Sequence, residues 1–409
     1  MPARSPVPVA GAAVARPPLS RAATRVPSSA IRDLLALTAA DDVLSLAGGL
    51  PALGHVDDSV MADIAGRVVG DPDGLQYGPT EGWPALRDWI AGRLADGPGA
   101  PPAARDDIRV THGSQQAIDL VVRTLVDPGD AVVVERPTYL GAVQALVPAA
   151  ARVHAVPVDE DGMDTERLAA ALAAGLRPRV CYLAPTFQNP SGSVMSTERR
   201  AHLGALAGRY GFVVVDDDPY RELGFDPPPP RLRHWVPPEL SVTLGTFSKI
   251  LAPGLRVGWV HGPAWLVAAL TRLKQATDLH TSTTAQRIVA EAVTQPGWLD
   301  RRTARLVELY RHRSGVLRTE LRARAGGRIE VAAARGGMFL WARLAGDADA
   351  AALLPVALRH GVAFVPGAAF ACDGSPSPHL RLCFATLDDA LLAEATRRLV
   401  RALDGHAPA

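Results

Sequence analysis

Gly245-Thr246-Phe247-Ser248-Lys249-Ile250-Leu251-Ala252-Pro253-Gly254-Leu255-Arg256-Val257-Gly258-Trp259 is the stretch from which the rest of this chain can be read. Apolar runs flank it at Val242–Phe247 and Val257–Val260, so two strands border a turn marked by Pro253-Gly254. Lys249 stands in that turn. It is one of only two lysines in 409 residues, the other being Lys274, and arginine fills every other basic position. A chain that uses arginine wherever charge alone is needed keeps lysine where arginine fails. One such task is chemical, because only a primary amine forms a Schiff base and later sheds a proton to act as a base. The hydroxyls of Thr246 and Ser248, with Pro253-Gly254 and Arg256, look like a phosphate cradle around it. A surface lysine in a turn is the plain alternative, so the surrounding chain has to decide.

Composition narrows the field. The chain is long enough for two or three domains around a large core. Hydrophobic residues make up 48% and charged residues 21%, and 43 basic against 42 acidic residues leave a net charge of +1. That balance carries no footprint for nucleic acid or an anionic membrane. Cys181, Cys372 and Cys383 are isolated and odd in number, which suits a reducing, cytoplasmic setting and argues against a disulfide framework or a zinc cluster. They read as small buried hydrophobes. No apolar run is long enough to span a bilayer. Residues 1–27 are rich in Pro, Ala and Arg without the apolar core of a signal peptide, and read as a mobile arm, with a transit peptide as the second option.

In chain order, residues 28–37 pattern as a capped amphipathic helix carrying Arg32, followed by the paired glycines Gly48-Gly49. Leu75-Gln76-Tyr77-Gly78-Pro79 reads as an irregular loop with an exposed tyrosine. From residue 108 strands and helices alternate. Strands are expected at 108–111, 131–135, 153–158, 180–184, 212–216, 242–247 and 257–260, with helices such as 165–174 and 197–210 between them. Such alternation predicts an α/β fold with a mostly parallel sheet between helices, whose ligands bind at the carboxyl ends of the strands. A long helical stretch over 286–325, broken near Pro296-Gly297, leads to a smaller α+β domain with strands near 329–332, 338–343 and 380–384. The expected divisions are an arm at 1–27, a segment at 28–60 shared with the small domain, a large domain at 61–300 and a small domain at 301–409.

Four clusters follow strand ends, and each supplies something pyridoxal phosphate needs. Gly113-Ser114-Gln115 opens a helix, where backbone N–H groups and a hydroxyl can hold a phosphate. Tyr139 can stack on a flat ring. Asn189, in Asn189-Pro190-Ser191-Gly192, can donate to a phenolic oxygen. Asp216-Asp217-Asp218, after three valines, place negative charge where it can keep a ring nitrogen protonated. Magnesium binding is the rival reading of those three carboxylates.

The ordered set Tyr77-Gly78, Gly113-Ser114-Gln115, Tyr139, Asn189-Pro190-x-Gly192, Asp217-x-x-Tyr220, Ser248-Lys249 and Arg256 resembles fold-type I pyridoxal-phosphate aminotransferases, in the branch of 2-aminoadipate and kynurenine aminotransferases. The resemblance spans about residues 28–400. It implies a seven-stranded, mostly parallel sheet, no metal, and amino-group transfer between an L-α-amino acid and a 2-oxo acid by a ping-pong mechanism. It implies that Lys249 forms the Schiff base and shuttles the proton, and that Asp217 pairs with the ring nitrogen. Tyr220 and Asn189 hydrogen-bond the phenolic oxygen, and Tyr139 stacks. Ser114, Gln115, Thr246, Ser248 and Arg256 hold the phosphate, with Tyr77 reaching in from the partner of a homodimer. It further implies that Arg381 grips the substrate carboxylate, while Gly49 and Arg32 line the substrate pocket.

The chain departs from the family at Ala52-Leu53-Gly54-His55-Val56, so side-chain specificity is not inherited from a relative. A β-lyase or decarboxylase on the same fold is the alternative activity. An aminotransferase-like sensor joined to a DNA-binding domain is the other, and residues 1–27 are not a basic helix-turn-helix. Replacing Lys249 by alanine is expected to abolish turnover, and replacing Lys274 is expected to spare it.

Overall fold

The computed structural model describes residues 17–26, 42–52, 54, 59–95, 99–346 and 348–405. Arg32 and its expected helix lie outside the described residues, as do Leu53, His55 and Val56. Within the stretch read as an arm, Ser20 caps a five-residue helix, α1 (Arg21–Arg25).

The strands in chain order are β1 (Leu44–Ser45), β2 (Ile108–Thr111), β3 (Ala131–Arg136), β4 (Arg152–Asp159), β5 (Gly162–Met163), β6 (Pro178–Leu183), β7 (Val213–Asp217), β8 (Ser241–Thr246) and β9 (Gly258–His261), then β10 (Ile329–Val331), β11 (Phe339–Leu344), β12 (Val362–Ala363), β13 (Val365–Pro366) and β14 (His379–Cys383). The large sheet has the order β2-β9-β8-β7-β6-β3-β4-β5. Its central strands are parallel, β9 runs against both neighbours, and β5 is a two-residue antiparallel addition at one edge. The seven expected strands are therefore present, and the eighth is β5.

Helices pack on both faces. Their order is α2 (Ser59–Gly70), α3 (Pro84–Leu94), α4 (Gly113–Leu125), α5 (Leu140–Leu146), α6 (Thr165–Ala173), α7 (Thr197–Tyr210), α8 (Ala264–Asp278), α9 (Thr283–Val293), α10 (Trp298–Arg324), α11 (Ala350–Arg359) and α12 (Asp389–Asp404). Successive strand side chains point to opposite faces, and the cores divide accordingly. Val132, Val134, Val180, Val213 and Val215 meet α4, α5 and α8, whereas Val133, Cys181, Leu183 and Val214 meet α6 and α7. Because both faces are covered, these strands read as continuous apolar runs rather than alternating ones. The cysteines are free, and Cys181 and Cys383 are buried.

The smaller sheet, β10-β11-β14-β13, is antiparallel and shares a core with α10, α11 and α12. β1 pairs in parallel with β12 in a separate two-stranded sheet, and Cys383 N on β14 donates to Leu46 O, so the segment carrying Gly48-Gly49 is held against the smaller sheet. No described helix is long and apolar enough to cross a membrane.

This topology gathers the site. Carboxyl ends of β2, β3, β6, β7 and β8 share one edge of the large sheet, and β9, running the other way, begins at that edge just after Arg256.

Candidate active site

One cleft of about 230 Å³ at that edge is lined by Gly49, Ser114, Gln115, Tyr139, Asn189, Asp217, Tyr220, Thr246, Ser248, Lys249, Arg256 and Arg381. Twelve residues read from sequence therefore converge. Tyr77 does not join them. Tyr77 is 79% exposed and packs edge-on against His280, with ring centroids 5.6 Å apart, and Arg32 lies outside the described residues.

Lys249 follows β8 and is nearly enclosed. Its Nζ donates to Gly49 O at 2.8 Å, the hydrogen bond it makes within the chain. Burial lowers its pKa to about 8; Cys383 opposes the shift, and the cations Arg381 and Arg256 add to it. The amine thus titrates near physiological pH and holds a far larger neutral fraction than an ordinary lysine, as a nucleophile or base requires.

The phosphate cradle is built by backbone geometry. Gly113 has φ +73° at the start of α4, and a Cβ there would meet Arg256 Nη2 at 2.7 Å. Arg256 is itself left-handed, at φ 54°, and donates to His112 O at 3.3 Å. A Cβ on Gly258 would lie 2.6 Å from the Gly113 carbonyl carbon, so both glycines are needed for this close approach. Thr246 Oγ1 donates to Ser248 Oγ at 2.9 Å and accepts from the Ser248 N–H at 3.2 Å. Gln115 turns its side chain away, donating to Gly141 O at 2.7 Å and accepting from Tyr139 OH at 3.4 Å. The α4 amino terminus thus presents positive partial charge beside two hydroxyls and a guanidinium.

The three aspartates separate by strand period. Asp217 faces the cleft; Asp216 accepts from Leu232 N at 3.2 Å, and Asp218 pairs with Arg231. They do not form one ligand set, and no group of three or more His, Cys, Asp or Glu among the described residues is placed to hold a metal ion. Asp217 Oδ2 accepts from Tyr182 OH at 2.6 Å, while Oδ1 is buried and has no partner. Burial raises the Asp217 pKa to about 7, the Tyr182 hydrogen bond opposes the rise, and Asp216 and Asp218 reinforce it.

Arg381, on β14, reaches the same cleft from the small sheet. It donates to Asn189 Oδ1 at 3.0 Å and to Ala47 O at 2.7 Å, and its Nε is buried without a partner. The guanidinium lies 4.2 Å from the Phe339 ring centroid and 5.1 Å from that of Phe370. Phe339 also meets Tyr220 edge-on, with centroids 6.0 Å apart.

Sequence reasoning missed Tyr182, Phe339 and Pro219, all of which line the cleft. Tyr182 left one usable signal, a polar tip in the otherwise apolar run Val180-Cys181-Tyr182-Leu183. Lys274 was also underread. It is 1% exposed, pairs with Asp278 at 2.9 Å and donates to Gln116 Oε1 at 3.1 Å, directly behind the cradle.

The family model described as aminotransferase class I and II matches residues 42–399. The chain is 37% identical to a 2-aminoadipate transaminase of Thermus thermophilus, over 94% of this chain and 96% of that one. It is 35% identical to aromatic-amino-acid aminotransferase 1 of Thermococcus litoralis, over 94% and 93%. Among solved structures, an α-aminoadipate aminotransferase of Thermus thermophilus, complexed with N-(5'-phosphopyridoxyl)-L-leucine, superposes with a TM-score of 0.87 at 36% identity, covering 95% of this chain and 97% of that one.

Proposed function

The chain belongs to the class I and II aminotransferases and is an enzyme of pyridoxal-phosphate-dependent transamination, and from that premise we propose which residues carry the chemistry. When bound, the cofactor supplies an aldehyde that exchanges amines and a ring that accepts the electrons released at the substrate Cα. The residues present fit it: a cradle at Gly113 and Gly258 that a Cβ would fill, an unpartnered Asp217 Oδ1 and a buried amine at Lys249.

Lys249 is the amine that would hold the aldehyde between turnovers and, once displaced, the base that would move the proton from the substrate Cα to the cofactor's C4′. Asp217 Oδ1 accepts from the ring nitrogen and keeps it protonated. Ser114, Gln115 through its backbone, Thr246, Ser248 and Arg256 bind the phosphate. Tyr139 stacks on the ring, and Tyr220 and Asn189 donate to its phenolic oxygen. Arg381 grips the substrate α-carboxylate through its planar fork, and the unpartnered Nε supports that role. Gly49 borders the substrate, and Arg32 is the candidate contact for its far end.

Tyr77 completes the phosphate site of the other protomer in a homodimer. Its 79% exposure beside the exposed Leu75 and Leu279 supports a partner covering this surface. The substrates are an L-α-amino acid and a 2-oxo acid; 2-aminoadipate and the aromatic amino acids come first for testing because the relatives bear those names.

The observation that carries the reading is the convergence of Lys249, Asp217 and Arg381 on one cleft from separate parts of the chain. Titration of the purified protein with a panel of amino acids, without acceptor, tests it. The visible band of the bound cofactor is expected to disappear with one equivalent of 2-oxo acid formed per site. Ammonia or CO₂ release instead would replace transamination by a lyase or decarboxylase reaction. No visible band after addition of cofactor would overturn the site assignment.

A further inference from the structure

Asp217 and Tyr182 stand on adjacent parallel strands. Tyr182 lies opposite Val215, so Asp217 is its diagonal neighbour two residues further along the same face. That spacing is beyond short side chains but within reach of a tyrosine. The Tyr182 ring is embedded with Ile118, Val132, Val180 and Val215, in surroundings a phenylalanine would fill equally well. Its hydroxyl is the polar exception, and it donates to Asp217 Oδ2 at 2.6 Å. The neighbouring aromatic, Tyr139, directs its hydroxyl to Gln115 instead.

We propose that Tyr182 is a positioning residue for the cofactor's ring nitrogen, holding Asp217 by Oδ2 so that Oδ1 remains free to accept from that nitrogen. This rests on the assignment of the cleft to pyridoxal phosphate. The two carboxylate oxygens are already inequivalent in the protein, one bonded and one buried without a partner. A carboxylate able to turn would offer its oxygens in a variable geometry, and the short bond from a ring locked in the core removes that freedom. The charges around Asp217 make the donor matter further. Asp216 and Asp218 flank it and act against its ionised form, while Tyr182 is the side chain that opposes them by hydrogen bonding. A protonated Asp217 cannot hold a cationic ring nitrogen, so loss of this one hydroxyl is felt at the ring rather than at the substrate carboxylate.

Tyr182→Phe in the holoenzyme tests this. The ring volume is kept and one hydrogen bond to a charged group is lost, so the cofactor dissociation constant is expected to rise roughly tenfold or more. The ¹⁵N signal of isotope-labelled pyridoxal phosphate should move from the protonated towards the neutral ring-nitrogen position. The value of kcat should fall while KM for the amino donor stays nearly constant. A cycle with Asp217→Asn separates positioning from packing: once Asp217→Asn is in place, adding Tyr182→Phe should change neither the dissociation constant nor the nitrogen signal. Unchanged affinity and signal in a folded Tyr182→Phe enzyme would overturn the proposal, and so would effects that add fully in the double variant. If the wild-type protein shows no cofactor band, the assignment of the cleft itself fails.

Discussion

The two lysines of this chain are both buried, and their surroundings differ in kind. Lys249 Nζ donates to the backbone oxygen of Gly49, and of the ionisable side chains around it Cys383 favours its charge while the cations Arg381 and Arg256 oppose it. Lys274 Nζ meets Asp278 Oδ1 at 3.0 Å, Asp278 Oδ2 at 2.9 Å and Gln116 Oε1 at 3.1 Å. Three acceptors converging on one point match an ammonium group and not a flat guanidinium. Asp278 also contacts His112 Nδ1 at 2.8 Å and accepts from Gln116 Nε2 at 2.6 Å, so this network braces the start of α4 beneath the cradle. The network favours the two partners unequally. Burial lowers the Lys274 pKa against the pull of Asp278, whereas three donors outweigh desolvation at Asp278 and lower its pKa. The close contacts to both carboxylate oxygens mark the pair as ionised and supporting. A lysine denied a counter-ion is kept for chemistry, and one given a counter-ion supports the scaffold. Both positions exclude arginine, for different reasons.

The largest expected contrast between them is in turnover. Lys249→Ala should lose roughly 10⁴-fold or more of kcat while retaining its circular dichroism, with partial recovery on adding methylamine. Lys274→Ala should keep most of its turnover. Substantial activity in Lys249→Ala without added amine would break the comparison at its first point.

Next comes stability of the cofactor-free protein, where the two sites should move in opposite directions. Lys249→Met removes a buried cation lacking a counter-ion and should raise the unfolding free energy at pH 7 by up to about 3 kcal/mol. Lys274→Met breaks a pair whose carboxylate is partly exposed and should lower it by about 2 kcal/mol. Urea unfolding of both variants measures this, and changes of the same sign would erase the distinction.

The smallest effect is a pH dependence. The folded-state pKa of Lys249, about 8, lies below the unfolded value, so between roughly pH 8 and 10 the unfolded chain binds more protons than the native one. Stability of the cofactor-free wild type should therefore rise through that window relative to Lys249→Met, and the gap between them should close. A gap constant from pH 7 to 10 would mean that Lys249 is not desolvated as its burial indicates.

Much of the fold was legible because strand signals are local. Val132–Val134 and Val213–Val215 are β-branched runs, and both lie in strands of the large sheet. Ser196 and Gly211 bracket α7 as cap and left-handed stop. Other elements carry weaker local signals. α2 carries Gly66, Gly70 and three valines, which weaken its helical signal, whereas the strongly amphipathic α12 had a pattern available to be read. At the site, Asp217 could be separated from Asp216 and Asp218 only by its spacing to Tyr220 in the family resemblance. In the fold, the strand period makes the same choice by turning Asp217 to the cleft and its neighbours away.

By itself the sequence determined the order of strand-end clusters, the scarcity of lysine and, through these, the family and its cofactor chemistry. Such features are written within a few residues, in periodicity, caps and turn composition. Only the tertiary structure decided that Gly49 supplies the acceptor for Lys249, that Gln116 joins the helix neighbour Asp278 around Lys274, and that Tyr182 occupies one oxygen of Asp217. Those pairings join segments far apart in the chain. A buried polar atom takes whichever partner the packed strands and helices bring within hydrogen-bond distance, and no local pattern specifies that partner.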